Sequence, residues 1–467
     1  MSTPTKTSSI KTVNPFNNEV VKEFEAMSAD QVSAIIDKAD EAFKTWKNTS
    51  FEARAKVMHQ VAKIMRERKE ELGKLATLEM GKLIAESIYE VELSADIFDY
   101  YADKAAELLA DHPLEVQHGE AFLSYEPIGV ILSVQPWNFP YYQITRSAAA
   151  HVMAGNTMVL KHASNVPQCA QIMEDIFKEA GLPDGVYTNL FVAGKDIEPL
   201  VANTKIKGVT LTGSKPAGAS IAAAAGAQVK KSTLELGGSD PFIVLEDVDL
   251  QQAVEVAVAG RMWNAGQVCV SPKRVLVPAS KYEAFLSKTK DAFAQLKVGN
   301  PLDADTNVAP LSSEKAAVDV VAQVQKAAEQ GAHVILGGKR VDRAGAFVEP
   351  TLITDITPDM DAYYEEIFGP VFQLYRYNTI DEAIEIANAT EFGLGGTVFG
   401  KDTQKAVEVA RKIDTGMVYI NHVTGIAPEL PFGGTKESGY GREQSPAGIY
   451  EFVNAKLIRT TTPDANY

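Results

Sequence analysis

Three long amphipathic stretches open the chain and predict helices. Val32, Ile35, Ile36, Ala39, Phe43 and Trp46 recur at three- and four-residue steps, with Ser28 placed to cap just upstream. A similar period runs from about residue 52 to 81 and again from about 85 to 109. Core packing accounts for all three stripes. From residue 114 the period shortens to two. Residues 114–117 and 121–125 flank His118-Gly119-Glu120, which predicts a hairpin. Short apolar strands then alternate with helical stretches at 129–134, 157–161, 188–192 and 208–212. A second alternation follows: a strand at 241–245, a helix from about 250 to 264 capped by Asp249, a strand at 274–277, and more to about residue 425. Residues 449–454 read as a last strand. This is the rhythm of βαβ units, so the expectation is an α/β protein with parallel sheets. No repeat, low-complexity tract or Gly/Ser-rich linker interrupts it.

Composition narrows the function classes. The 467 residues carry 61 acidic and 45 basic side chains, a formal net charge of −16. That balance argues against nucleic acid or an anionic membrane as the main partner, because both call for clustered positive charge. A small anionic substrate needs only a local cation and stays open. No apolar run approaches a membrane span, and the first residues, Met1 to Lys11, lack the apolar core of a secretion signal. The two cysteines, Cys169 and Cys269, give no disulfide framework and suit a reducing cytoplasm. The seven histidines show no metal-ligand spacing, so no metal is expected.

The candidate chemistry starts at Cys269. A lone cysteine is more often a core residue than a nucleophile, but this one follows the polar, glycine-marked run Asn264-Ala265-Gly266-Gln267-Val268. Glu235, in Leu234-Glu235-Leu236-Gly237-Gly238, is a carboxylate that can act as a base. Asn138 lies in Gln135-Pro136-Trp137-Asn138-Phe139-Pro140, where two prolines stiffen a loop between strand and helix; its amide can donate to an oxyanion. A nucleotide site is suggested where a strand runs into Thr212-Gly213-Ser214-Lys215-Pro216, since a helix start after glycine attracts phosphate. Lys161, at the end of another strand, stands where ligands of parallel sheets bind. The usual glycine-rich dinucleotide and P-loop patterns are absent. Each element alone has an ordinary structural explanation.

Together they do not. The runs 136–140, 212–214, 235–238, 266–269, 366–370 (Glu366-Ile367-Phe368-Gly369-Pro370) and 431–434 (Pro431-Phe432-Gly433-Gly434), with Lys161, resemble in order and spacing the NAD(P)-dependent aldehyde dehydrogenase superfamily across essentially the whole chain. The resemblance implies a Rossmann-type cofactor domain (1–113 and 127–235), an α/β catalytic domain (236–445) and a small β oligomerisation element (114–126 and 446–467), assembled as a homodimer or homotetramer. It implies that Cys269 attacks an aldehyde, that Asn138 and the Cys269 N–H receive the oxyanion, and that Glu235 activates water against the thioester. Trp137, Lys161, Ser164, Gly213, Ser214, Leu236, Glu366 and Phe368 would meet the cofactor. Ser164 stands where NAD-preferring members often carry a glutamate that repels the 2′-phosphate; NADP is therefore expected to be preferred, with NAD tolerated. Arg274 is expected to be structural.

The substrate pocket most resembles that of succinate-semialdehyde dehydrogenases. Arg146 matches an arginine that this subgroup uses for the distal carboxylate, and Thr424 lies in a loop, Asn421-His422-Val423-Thr424, of similar type. Trp263 occupies a position where some members have a second arginine, and Ser271 one where others have a second, redox-active cysteine. A broad-specificity enzyme for aliphatic or aromatic aldehydes is the alternative, with Trp263 and Trp137 lining an apolar pocket. A CoA-acylating enzyme is a remoter one, disfavoured by Glu235.

Overall fold

The computed structural model describes residues 9–463. The first eight and last four residues, which include part of the N-terminal stretch read above and the end of the 446–467 segment, lie outside the described residues.

The first predicted helix forms with its expected cap. Ala29–Trp46 starts at Ser28, whose hydroxyl accepts from Gln31 N–H while the Gln31 side chain accepts from Ser28 N–H. The stretch 52–81 is two helices, Phe51–Glu67 and Lys69–Met80, broken at Arg68. Arg68 leaves helical geometry and binds Glu71 and Glu179; the charged run there interrupts the apolar period. Ile84–Leu108 follows as one long helix. An N-terminal hairpin, Ser9–Asn14 with Glu19–Glu25, was not legible in the pattern because its second strand is almost wholly exposed.

Two large sheets follow. The first has six strands in the order Gly439–Tyr440, Lys231–Glu235, Ile206–Thr212, Val130–Gln135, Thr157–His162 and Tyr187–Asn189, parallel except for the first. Its chain path reverses beside Val130–Gln135, and such a switch point is where open parallel sheets bind ligands. The second has seven strands, His333–Leu336, Thr351–Thr354, Val371–Tyr377, Arg274–Pro278, Pro241–Val244, Thr397–Phe399 and Tyr419–Ile420, again parallel except for the first. Both sheets are covered by helices, and their strands are buried through most of their length.

The predicted hairpin exists as His112–Leu114 against Glu120–Pro127. A third strand, Val453–Thr460, pairs antiparallel with Glu120–Pro127. The predicted strand at 449–454 is displaced: Ser445–Ile449 is a short helix with Pro446 in its first turn, and pairing begins only at Val453. The strand Val453–Thr460 is almost entirely exposed and forms an edge of its sheet.

Candidate active site

The site lies between the two sheets. Loops leaving the carboxyl ends of Val130–Gln135 and Ile206–Thr212 supply Pro136, Trp137 and Asn138 on one side and Gly213 and Ser214 on the other. Segments leading to the amino ends of the second sheet's strands supply Leu236, Gly237, Cys269, Glu366 and Phe368. These residues, with Gln143 and Thr212, line one cleft of about 300 Å³. A second chamber of about 130 Å³ lies on the other side of the nucleophile loop, walled by residues that include Phe139, Trp263, Val268, Val270, His422 and Thr424.

Cys269 is delivered by an unusual turn. The helix Leu250–Met262, capped by Asp249, ends in Asn264 (φ 49°), Ala265 (φ 51°) and Gly266 (φ 76°), three successive left-handed residues. Left-handed geometry costs a non-glycine residue roughly 1–2 kcal/mol, so the surroundings must hold it. Glu86 accepts from the Asn264 N–H, and the Asn264 amide donates to Asn138 O (3.0 Å) and Gln267 O (3.3 Å). Buried Arg261 donates to the carbonyls of Gly266, Ile367, Gly369 and Val371 and to the Ser271 hydroxyl, tying the nucleophile loop to the Glu366–Phe368 loop. Gly266 is required: a Cβ there would stand 2.1 Å from Gly369 O.

The thiol packs in an apolar sleeve of Val268, Val270, Leu394, Met417 and Phe432. Burial pushes it up to about 11, with Lys273 and Arg146 opposing and Glu366 and Asp240 reinforcing. The Asn138 amide is oriented on both sides, its Nδ2 donating to Gln267 O (3.2 Å) and its Oδ1 accepting from Gln143 Nε2 (3.2 Å). Glu235 is 2 % exposed, and neither carboxylate oxygen has a hydrogen-bond partner among the described residues. Burial holds its carboxyl well above the usual range, against the pull of Arg146. It does not line the cleft; its Oε1 lies 2.8 Å from where a Cβ would stand on Gly433.

Several expected contacts are in or beside the cleft. Trp137 and Phe368 meet edge-to-face, 5.9 Å between centroids. Ser214 begins the helix Lys215–Ala227 without a side-chain cap, leaving the first-turn N–H groups for an anion. Lys161 and Ser164 stand outside the cleft lining, at and just after the end of Thr157–His162, with Ser164 exposed. Trp263 and Thr424 line the second chamber, where the Thr424 hydroxyl is buried and unpartnered among the described residues. Arg274 donates to the carbonyls of Ser239, Ile386 and Ala387, the structural part expected of it.

Arg146, expected from the resemblance to meet a substrate carboxylate, lines neither chamber. Its guanidinium is fully buried, ion-paired with Glu443, donates to Thr212 Oγ1 (2.6 Å), and lies over the ring of Phe432 at 4.5 Å. A buried guanidinium needs a counter-charge, and Glu443, distant in sequence, supplies it. Glu443, Gln143 and Lys273 had no local signature that could have marked them; each is defined by a partner the fold brings in.

The cleft between the two sheets thus holds a thiol beside an oriented amide. The chain belongs to the aldehyde dehydrogenase family, whose model matches residues 2–458. It is 48% identical over 448 residues to the succinate-semialdehyde dehydrogenase [NADP(+)] of Deinococcus radiodurans, covering 96% of this chain and 94% of that one. It is 46% identical over 452 residues to succinate-semialdehyde dehydrogenase [NADP(+)] 1 of Mycobacterium bovis, covering 96% and 99%. Among solved structures, the succinic semialdehyde dehydrogenase of Streptococcus pyogenes in complex with NADP+ superposes with a TM-score of 0.96 at 45% identity, over 97% of this chain and 100% of that one.

Proposed function

We propose that the protein oxidises succinate semialdehyde to succinate with NADP+ as the preferred cofactor, through a thioester on Cys269. The observation that carries this reading is the single cleft in which Cys269 and Asn138 stand beside Gly213, Ser214, Leu236, Glu366 and Phe368. The names of the full-length relatives supply substrate and cofactor.

The residues fit a dinucleotide. Gly213 and the uncapped helix start at Ser214 suit a pyrophosphate, and Glu366 suits ribose hydroxyls. Gly237 passes so close to Glu366 that a Cβ would stand 2.3 Å from Oε2. Lys161 with exposed Ser164 offers a cation and a hydroxyl, and no carboxylate, to a 2′-phosphate. The nicotinamide, when bound, supplies the hydride acceptor that carries the thiohemiacetal to the thioester. This chain's own residues do the rest. The Cys269 thiolate adds to the carbonyl carbon, and the oxyanion is received by Asn138 Nδ2 and the Cys269 N–H. Glu235 takes a proton from water as the water attacks the thioester, which releases the acid and restores the thiol.

For the substrate carboxylate, Thr424 Oγ1 is a buried donor in the second chamber that has no partner among the described residues. The apolar walls there, with Leu93, Phe139, Trp263 and Ile426, support a second reading as a dehydrogenase of aliphatic or aromatic aldehydes. Assays of succinate semialdehyde, hexanal and benzaldehyde with each cofactor decide between them. Succinate semialdehyde with NADP+ is expected to have the highest kcat/KM. Ser164→Glu should shift preference toward NAD+, and Thr424→Val should raise KM for succinate semialdehyde about tenfold while leaving hexanal unchanged. A wild-type preference for NAD+ or for hexanal would overturn the corresponding part, and an acyl-CoA product would overturn hydrolysis.

We further infer a homodimer or homotetramer in the cytoplasm. Support comes from the exposed edge strand Val453–Thr460, where Leu457 is 58% exposed, and from two unpaired cysteines. Among the described residues no helix is long and apolar enough to cross a membrane.

A further inference from the structure

One cation beside the nucleophile has no part in the scheme above. Lys273 lies four residues after Cys269, is 1 % exposed and lines neither chamber. Its ammonium has three protons and three acceptors: Val268 O at 2.9 Å, Cys269 O at 2.7 Å and Glu366 Oε1 at 3.1 Å. Val268 O also accepts from the Ser271 N–H (3.2 Å), so two donors converge on that carbonyl. The Val268 carbonyl and the Cys269 N–H belong to one peptide group. The Cys269 N–H has no hydrogen-bond partner among the described residues.

An ammonium on the carbonyl side of a peptide draws electron density toward oxygen, which strengthens donation by the N–H on the other side. It also fixes the plane of the peptide and so the direction of that N–H. We propose that Lys273 is a positioning residue that orients and polarises the 268–269 peptide, so that the Cys269 N–H is set as an oxyanion donor, with Glu366 holding the ammonium in place. The inference rests on the reading of Cys269 as nucleophile. The competing account is that Lys273 only neutralises Glu366 and so supports cofactor binding. The two differ in what they move: the competing account alters the cofactor KM alone among the kinetic constants, whereas polarisation alters the step at the carbonyl and so kcat at saturating cofactor; the ionisation of the thiol follows the Lys273 charge under both.

The charged groups facing the thiol are Lys273 and Arg146, which favour its anion, and Glu366 and Asp240, which oppose it. Removing Lys273 therefore moves thiol ionisation to higher pH, while removing the Glu366 charge moves it lower. The test uses the full-length protein carrying Lys273→Met, Lys273→Gln, Lys273→Arg or Glu366→Gln. The rate of Cys269 alkylation by iodoacetamide is followed against pH without cofactor, and kcat is measured at saturating NADP+ together with both KM values. Lys273→Met is expected to lower kcat about tenfold to a hundredfold, within what one weakened oxyanion donor costs, and to shift the alkylation profile upward in pH. Lys273→Arg should recover part of both, and Lys273→Gln, which keeps donors and loses the charge, should recover less. Lys273→Gln also serves if the methionine variant does not fold. A kcat like wild type in Lys273→Met or Lys273→Gln, with only the cofactor KM raised, would overturn the proposal, whatever the alkylation profile does. Retention of aldehyde oxidation by Cys269→Ala would instead remove the nucleophile reading, whatever Lys273 does.

Discussion

Cys269 has no thiol available to resolve an oxidised form. Position 271 is serine, engaged by Arg261, and the other cysteine, Cys169, is buried with its N–H on Glu79. A sulfenic acid formed at Cys269 therefore has no protein partner for a disulfide and proceeds to higher oxidation states. Peroxide is expected to inactivate the enzyme in a way that dithiothreitol does not reverse, and substantial recovery of activity would refute this. Cys269, Asn138 and Glu235 each sit in a short motif whose glycines or prolines announce an unusual backbone. The ion pair that Arg146 makes with Glu443 has no counterpart in the local sequence. Whether a guanidinium is free or committed depends on Glu443, which no local pattern links to it.

The helix Ile84–Leu108 carries two carboxylates one turn apart that hold the two halves of the site. Glu86 grips the left-handed turn before Cys269, and Glu90 Oε1 accepts from the N–H groups of Tyr141 (2.7 Å) and Tyr142 (3.0 Å) at the start of the helix after Asn138. Lys82 answers the Glu90 charge at 2.5 Å, with both side chains almost wholly buried. Such a pair is costly to break on one side because the remaining charge stays buried. Glu90→Gln is expected to lose about 3 kcal/mol of stability in denaturant titration, and the double variant Lys82→Met with Glu90→Gln to lose less. Equal losses in single and double variants would show that the pair is not coupled. The apolar period alone predicts this helix. That Glu86 and Glu90 engage the site has no local signature, because their partners lie on the segments that follow Asn138 and precede Cys269.

The whole molecule places the carboxyl ends of one sheet against the segments that enter the other. A ligand in the cleft therefore bridges both sheets and binds only the folded chain. Ligand present at about a hundred times its Kd adds about 2.7 kcal/mol of stability. NADP+ is thus expected to raise Tm, NAD+ at equal concentration to raise it less, and Ser164→Glu to narrow or reverse the difference; no rise with either cofactor would refute the cleft as their site.

Periodicity and turn chemistry, which are local, determined the helical stretches of the first hundred residues though not the break at Arg68, the cap at Ser28, the strand–helix alternation and the loops bearing Asn138, Gly213 and Cys269. Local signals failed where an element is stabilised from outside, as in the exposed N-terminal hairpin and the late start of Val453–Thr460. Only the tertiary structure decided which charges meet: Arg146 with Glu443, Lys82 with Glu90, and Lys273 with the Val268 carbonyl. The energy of a buried charge is set by its partner and by the exclusion of water, and both come from chain segments brought together by folding.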